Sequence, residues 1–102
     1  MRADKRIQKN LGATLVARDL LRSIVRNPEK YSEQDVLISA IKSQGGLAKL
    51  DYETEIDGEA VRKLPMSLNT LKNYANQELD EGFEGINSLR LKAIDSIETY
   101  VA

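Results

Sequence analysis

The chain has 102 residues, enough for one domain with a modest buried core. It contains no cysteine and no histidine, which excludes disulfides, thiolate chemistry, and the commonest general base and transition-metal ligand. Apolar residues make up 41% of the chain and charged residues 30%, with a net charge of −1. We therefore expect a globular protein that is not an enzyme and has no cofactor and no metal.

Four of the first six residues are charged, and an amphipathic pattern follows them. A signal peptide would instead show an apolar segment at this position. No apolar run approaches the roughly 20 residues that a membrane span needs. We expect a cytoplasmic protein without a membrane partner.

Charge is divided unevenly between the two halves of the chain. Residues 1–50 contain ten Lys/Arg and five Asp/Glu, whereas residues 51–102 contain five and eleven. A basic half can face the phosphates of a nucleic acid while an acidic half faces away. Alternatively, the two halves attract each other or a neighbouring subunit, and the sequence leaves both interpretations open.

Apolar residues at spacings of three and four predict a long helix over residues 4–26. Asn27-Pro28 is predicted to end it, because proline disfavours a helical conformation in the residue before it. Ser32 is predicted to open a second helix, with Asp35 completing a capping box. Gly45-Gly46 is predicted to stop that helix, since glycine is common just after a helix end.

Residues 47–50 predict one further helical turn. From Asp51 the acidic residues alternate strictly with Tyr, Thr and Ile, which favours an extended segment with one buried side. Asp57-Gly58 is a turn signal. Residues 51–64 therefore form either a short β-hairpin or a loop. A calcium loop is excluded, because Leu64 stands where the closing glutamate is required.

Ser67 is predicted to cap a helix over residues 67–79, with leucines on its buried side. Gly82 marks a break, and a final apolar stripe predicts a helix over residues 83–100. The predicted fold is mainly α, a single domain over residues 1–102 with four to five helices.

The helix that begins at Ser67 has an exposed face that is polar and almost uncharged. A solvated face more often carries Glu and Lys, which form helices more readily than Asn and Thr. Asn, Thr and Lys side chains hydrogen-bond to base edges and phosphates. The pattern therefore favours contact with DNA through the residues Asn69, Thr70, Lys72, Asn73 and Asn76.

The order of these segments resembles the helix-turn-helix family of small DNA-binding proteins over residues 32–75, in the style of accessory proteins of bacterial mobile elements. Gly46-Leu47-Ala48-Lys49-Leu50 resembles the support helix, and Ser67-x-x-Thr70-Leu71-Lys72 resembles the start of the recognition helix. The resemblance implies a helix-turn-helix-like core in which the DNA-facing residues are Ser67, Asn69, Thr70, Lys72 and Asn73. The chain departs from the family in one respect, because sixteen residues separate Leu50 from Ser67 where the family has a turn of ~3–4.

We predict that the chain is a double-stranded DNA-binding protein, either a transcriptional regulator or a mobile-element accessory factor. A homodimer is expected, because one short reading helix covers few base pairs. Arg18, Arg22 and Arg26, on the basic face of residues 2–26, are predicted phosphate contacts. The alternative is a helical protein-interaction module or adaptor that does not bind DNA, in which that basic face is simply solvated.

Overall fold

The computed structural model describes the backbone of residues 2–102 and the side chains of residue 5 and residues 7–102. Within these residues the chain forms six helices and one two-stranded antiparallel sheet, so the expected mainly helical fold is confirmed, with six helices instead of four to five. None of these helices is both long enough and apolar enough to cross a membrane. In chain order the elements are α1 (Arg2–Arg26), α2 (Pro28–Tyr31), α3 (Asp35–Ile41), α4 (Gln44–Lys49), β1 (Tyr52–Ile56), β2 (Glu59–Lys63), α5 (Leu68–Glu78) and α6 (Gly82–Val101).

The core is aliphatic and lies mainly between α1 and α6, with α5 packed against both. Leu20, Leu21 and Ile24 of α1 are almost completely buried, as are side chains from every other helix. Ile7, which shares the apolar pattern of α1, is 49% exposed. The other described side chains of residues 5–9 are also exposed, so this part of α1, as far as its side chains are described, is not covered by the rest of the domain.

The end of α1 lies at Arg26, as the Asn27-Pro28 pair predicted. Pro28 takes the first position of the short helix α2, where its missing N–H has no helical partner to lose. Sequence analysis did not predict this helix, whose four residues are too few to show a periodic pattern. It is held by Tyr31, which is buried and whose hydroxyl lies 2.7 Å from the Ser23 hydroxyl.

The prediction that Ser32 opens the second helix is wrong. The Ser32 hydroxyl donates to the Glu29 carbonyl oxygen (3.2 Å), so it terminates α2. The next helix, α3, begins three residues later, and Gln34 precedes it without a side-chain cap. The reason is that α2 occupies the residues just before Ser32 and leaves its side chain closer to a preceding carbonyl than to a following amide.

The prediction that Gly45-Gly46 ends this helix is also wrong. The helix α3 ends at Ile41, and both glycines lie inside α4, whose N-cap is Ser43. A Cβ on Gly46 would lie 2.3 Å from the Ala40 carbonyl oxygen, whereas one on Gly45 would meet nothing within 4 Å. Gly46 therefore allows α3 and α4 to approach closely. A glycine pair looks the same in the sequence whether it ends a helix or allows such close packing.

Residues 52–63 form a hairpin, which decides between the two predicted alternatives for residues 51–64. Asp57 and Gly58 both adopt positive φ angles, 52° and 83°, as a two-residue hairpin turn requires. Tyr52 pairs with Lys63, and Ile56 pairs with Glu59. Tyr52, Thr54 and Ile56 are half-buried, while the acidic residues between them are exposed. The prediction of an extended segment with one buried side is therefore confirmed.

A buried arginine on α6 completes the end of α3. Arg90 is 8% exposed, and its guanidinium donates to the Ile41 carbonyl oxygen at 3.1 Å. Its Nε donates to the Asn87 side-chain oxygen at 3.0 Å, and Gln44 donates to the same oxygen at 3.1 Å. This polar network ties α6 to the junction of α3 and α4 and satisfies a carbonyl that α3 leaves without a helical partner.

Candidate nucleic-acid interface

The start of α5 lies directly beside the end of α4, although the hairpin separates them in sequence. The Met66 amide donates to the Ala48 carbonyl oxygen at 2.8 Å. The Met66 sulfur also lies 3.9 Å from the Thr14 hydroxyl of α1. The sixteen-residue connection therefore leaves α4, forms the hairpin and returns to α4, so that Met66, just before the α5 cap, contacts both α4 and α1.

A buried lysine fixes this return point. Lys63 is fully buried, and its ammonium donates to the carbonyl oxygens of Ala48 (2.7 Å), Leu64 (2.8 Å) and Leu50 (3.4 Å). Burial lowers the pKa of Lys63 to about 8, and the negative charge of Asp51 partly opposes that shift. The cation thus lies at the C-terminal end of α4, where the helix dipole favours positive charge. The sequence did not predict this role, although Lys63 and Val61 lie on the same inward face of β2.

Ser67 is the N-cap of α5, as predicted. Its hydroxyl oxygen accepts from the Thr70 amide at 3.1 Å and donates its own proton to the Thr70 hydroxyl at 2.8 Å. Both side chains of this pair, predicted to face DNA, are therefore engaged in starting the helix. The other unpaired amides of the first turn remain directed outward along the axis of α5.

Asn69 and Asn73 lie one turn apart on the exposed face of α5. Within the described part of the chain, neither side chain forms a hydrogen bond to another residue. The opposite face carries Leu71 and Ala75, both completely buried. Two asparagine side chains are thus presented together on a helix whose other face is fixed in the core.

Lys72 is half-buried and turns toward α6. Its ammonium lies 5.6 Å from the centre of the Phe83 ring, within the range of a cation–π contact. It lines a shallow groove with Gln44, Phe83, Glu84, Asn87, Ser88 and Leu91. Lys72 therefore lies at the edge of the exposed asparagine face, with part of its side chain used in packing.

Asn76 has a structural contact that the sequence did not predict. Its side-chain oxygen accepts from the Phe83 amide at 2.9 Å, in the first turn of α6. Gly82 makes this possible, because its φ is 63° and a Cβ there would lie 2.6 Å from the same Asn76 oxygen. Asn76 therefore joins the end of α5 to the start of α6.

The three predicted arginines lie on other surfaces. Arg18 and Arg22 line a groove with residues 79–82, Gly85, Ile86 and Leu89. This groove and the Lys72 groove lie on opposite sides of the first turns of α6. Arg18 is paired with Asp19 (3.1 Å), and Arg26 lies 3.9 Å from Asp57 in the hairpin turn. The structure does not join these arginines and the face of α5 into one surface.

Other exposed basic residues lie on α4 and on the first turns of α1. Lys49, the exposed last residue of α4, directly follows Ala48, which accepts from the Met66 amide. The uncovered first turns of α1 precede Thr14, the second contact of Met66, and carry the exposed residues Lys5 and Lys9. The Arg2 and Arg6 side chains of the predicted basic face lie outside the described residues.

The hairpin presents negative charge. Arg62 donates two hydrogen bonds of 3.1 Å to the Asp51 carboxylate, and these bonds lower the pKa of Asp51. Arg62 also lies 3.5 Å from Glu53. Glu55 and Glu59 are exposed on the same hairpin without such a partner among the described ion pairs. Repulsion from these carboxylates will oppose close approach of DNA to the hairpin.

The described side chains include no cluster of three or more Asp and Glu residues suited to hold a metal ion. Comparison with known proteins gave no match to a family model, a curated protein or a solved structure.

Proposed function

We propose that this chain binds double-stranded DNA through α5, with Asn69 and Asn73 facing base edges in the major groove. The observation that carries the proposal is the free pair of asparagines on a capped helix that is otherwise anchored in the core. An asparagine amide can bond adenine through both its donor and its acceptor. Two such groups one turn apart match the reach of a helix along the groove.

The juxtaposition of α4 and α5 supports a helix-turn-helix-like arrangement. In that arrangement α3 and α4 are the support and α5 is the recognition helix, with the hairpin inserted where the family has its turn. The bond from the Met66 amide to the Ala48 carbonyl supports this arrangement, because it holds the residue before Ser67 beside the end of α4 in spite of the long connection. The buried Lys63 ammonium holds the same junction.

Phosphate contacts would come from residues around the start of α5. The exposed Lys49 directly follows Ala48, whose carbonyl oxygen accepts from the Met66 amide at this point. The N-terminus of α5 adds its own partial positive charge, which favours an anion. We assign no phosphate contact to Arg18, Arg22 or Arg26 in this proposal, because they lie on other surfaces and each lies within 4.0 Å of a carboxylate.

The charge distribution implies weak non-specific binding. The net charge is −1, and the hairpin carboxylates repel phosphate. Base contacts must therefore supply a large share of the affinity for a preferred sequence. We expect a bound duplex to be recovered by selection from a randomised library at low salt, and little retention on DNA of arbitrary sequence at physiological salt.

The test compares variants on the selected duplex by fluorescence anisotropy. Asn69→Ala combined with Asn73→Ala should weaken binding at least tenfold while leaving thermal stability unchanged or slightly raised, since Ala favours helix. Lys49→Glu should weaken binding more than Lys92→Glu, an identical charge change on the exposed surface of α6. Failure to select any duplex, or unchanged affinity in the asparagine variant, would contradict the proposal.

The alternative function is a protein-interaction module, favoured by the exposed carboxylates of the hairpin. The negative electrostatic potential of Glu55 and Glu59 that repels DNA could also attract a basic protein surface. This alternative predicts no retention on DNA even at low salt. It also predicts a stable complex in a pull-down that is lost when Glu55 and Glu59 are both changed to Gln.

A further inference from the structure

An apolar groove lies between α3 and the C-terminal half of α6. Its floor contains Ile41 and Ile97, which are buried in the core, and its walls include Ile38, Ile94 and Val101. Two oppositely charged residues, Lys42 and Glu98, also line it. This surface takes no part in the contacts around α5.

The apolar character continues along α6 beyond the groove. Leu91 is 53% exposed and Val101 is 63% exposed, although both are large apolar side chains. Leu91, Ile94, Glu98 and Val101 follow one another at spacings of three and four. This heptad-like spacing places them in one stripe on the helix surface and suits packing against a second helix.

The charges of the groove are suited to pairing across a two-fold axis. Lys42 and Glu98 are both exposed, and neither joins an ion pair within 4.0 Å among the described residues. In an isologous dimer each copy presents the same patch, so a lysine and a glutamate on one copy meet their opposites on the other. A partner segment of a single charge sign could satisfy only one of them.

We propose that this face binds a second copy of the chain. The dimer packs the stripe of Leu91, Ile94 and Val101 on one copy against the α3–α6 groove of the other. Lys42 of each copy pairs with Glu98 of the other copy. The dimer does not require DNA, so it stands or fails separately from the proposed function. If α5 also binds DNA, the dimer presents two reading helices to two half-sites.

The test is sedimentation equilibrium of the wild type and of two single variants without DNA. The wild type should have twice the mass of the chain at micromolar concentration. Lys42→Glu and Glu98→Lys should each weaken the dimer at least tenfold, because like charges then meet at both ends of the interface. An equimolar mixture of the two variants should form a heterodimer, because both opposite-charge pairs are restored.

Matched controls use exposed residues of the same charge elsewhere. Lys92→Glu and Glu78→Lys should leave the wild-type dimer unchanged, and circular dichroism should report the same helix content in every variant. A wild type that stays monomeric at several hundred micromolar would overturn the inference. Dimers that survive in both single variants, or a mixture that stays monomeric while each single variant folds, would also overturn it.

Discussion

Three polar side chains form hydrogen bonds to backbone groups at the ends of neighbouring helices. Lys63 of β2 donates to carbonyls around the end of α4, Arg90 of α6 donates to the last carbonyl of α3, and Asn76 of α5 accepts from the first turn of α6. Each satisfies a backbone group that a helix end leaves without a partner. These contacts connect α3, α4 and α5, which are each too short to be stable alone, to the rest of the domain.

Replacing Lys63 by methionine should destabilise the fold by roughly 1–3 kcal/mol. The methionine keeps much of the side-chain volume but leaves the Leu64 and Leu50 carbonyls without their donor, and unsatisfied buried polar groups carry a cost of that size. Urea denaturation at pH 7 measures the change. Lys49→Met, at an exposed lysine of α4, should have almost no effect.

The same residue predicts a dependence of stability on pH. Its pKa is lowered to about 8 in the folded chain from an ordinary value of 10.5. Between these values the unfolded chain holds a proton that the folded chain has released, so stability rises with pH. Urea denaturation from about pH 7.5 to about pH 9.5 should show a rise in the free energy of unfolding of the wild type. The Lys63→Met variant should lack this rise. Equal slopes in both proteins would contradict this origin.

The two adjacent glycines of α4 should respond oppositely to alanine. Gly46→Ala places a Cβ against the Ala40 carbonyl and should cost about 1–3 kcal/mol as the helices shift apart. Gly45→Ala meets nothing within 4 Å and should gain up to about 1 kcal/mol from better helix propensity. Thermal denaturation of both variants is the measurement, and similar changes in the two would rule out a close α3–α4 contact at Gly46.

Among the elements, α5 and the hairpin were predictable because their signals are local. The alternation of residues 51–56, the Asp57-Gly58 turn and the Ser67 cap all act through immediate sequence neighbours. The first two are compatible with a hairpin, although the sequence left a loop as the alternative, and the third starts the helix. The return of the chain to α4 could not be predicted from the sequence, because the hydrogen bond between Met66 and Ala48 depends on how the hairpin folds.

Two predicted helix ends are wrong because the residues that suggested them have other roles in the structure. A serine followed by an acid suggested a helix start at Ser32, and a glycine pair suggested a helix stop at Gly45-Gly46. The structure uses Ser32 to end α2 and Gly46 to bring two helices together. In the candidate site, the exposure of Asn69 and Asn73 followed from periodicity, whereas the contact of Asn76 with α6 did not.

The cap of α5 gives a prediction at the scale of the element. Ser67→Ala should destabilise the protein by about 1 kcal/mol, because it removes the acceptor for the Thr70 amide. Ser67→Asp should retain the cap, since aspartate is an equally good acceptor there. Urea denaturation separates the two variants. If α5 binds DNA, the aspartate variant should also bind the selected duplex more weakly, since its charge opposes phosphate.

At the scale of the whole molecule, the two charge halves are partly paired within the chain. Arg26 of the basic half lies 3.9 Å from Asp57 of the acidic half, and the Lys30 ammonium donates to the Glu55 carbonyl oxygen. Of the ion pairs among the described residues, Arg26–Asp57 alone joins the two halves, since the Lys30 contact is to a backbone carbonyl. Lys42 and Lys49 of the basic half are exposed and take no part in these contacts.

The residues varied to test the two proposed surfaces are different, although Leu91 of the dimer stripe also lines the groove beside Lys72. DNA binding is assigned to the exposed face of α5, and dimer formation to α3 and the C-terminal half of α6. A variant of either surface should therefore leave the other activity measurable. Charge variants of Lys42 and Glu98 should reduce DNA affinity only through loss of the second reading helix, which lowers affinity without changing the preferred half-site.

Chemical-shift mapping of the full chain is the most direct test of DNA binding by α5. The selected duplex would be titrated into protein labelled with ¹⁵N, and shifts would be followed for backbone amides and asparagine side-chain amides. We predict the largest shifts at Asn69, Asn73 and Lys49, with little change at Lys92 and Asp95 of α6. Shifts confined to other surfaces, or no shifts at saturating duplex, would contradict recognition of DNA by α5.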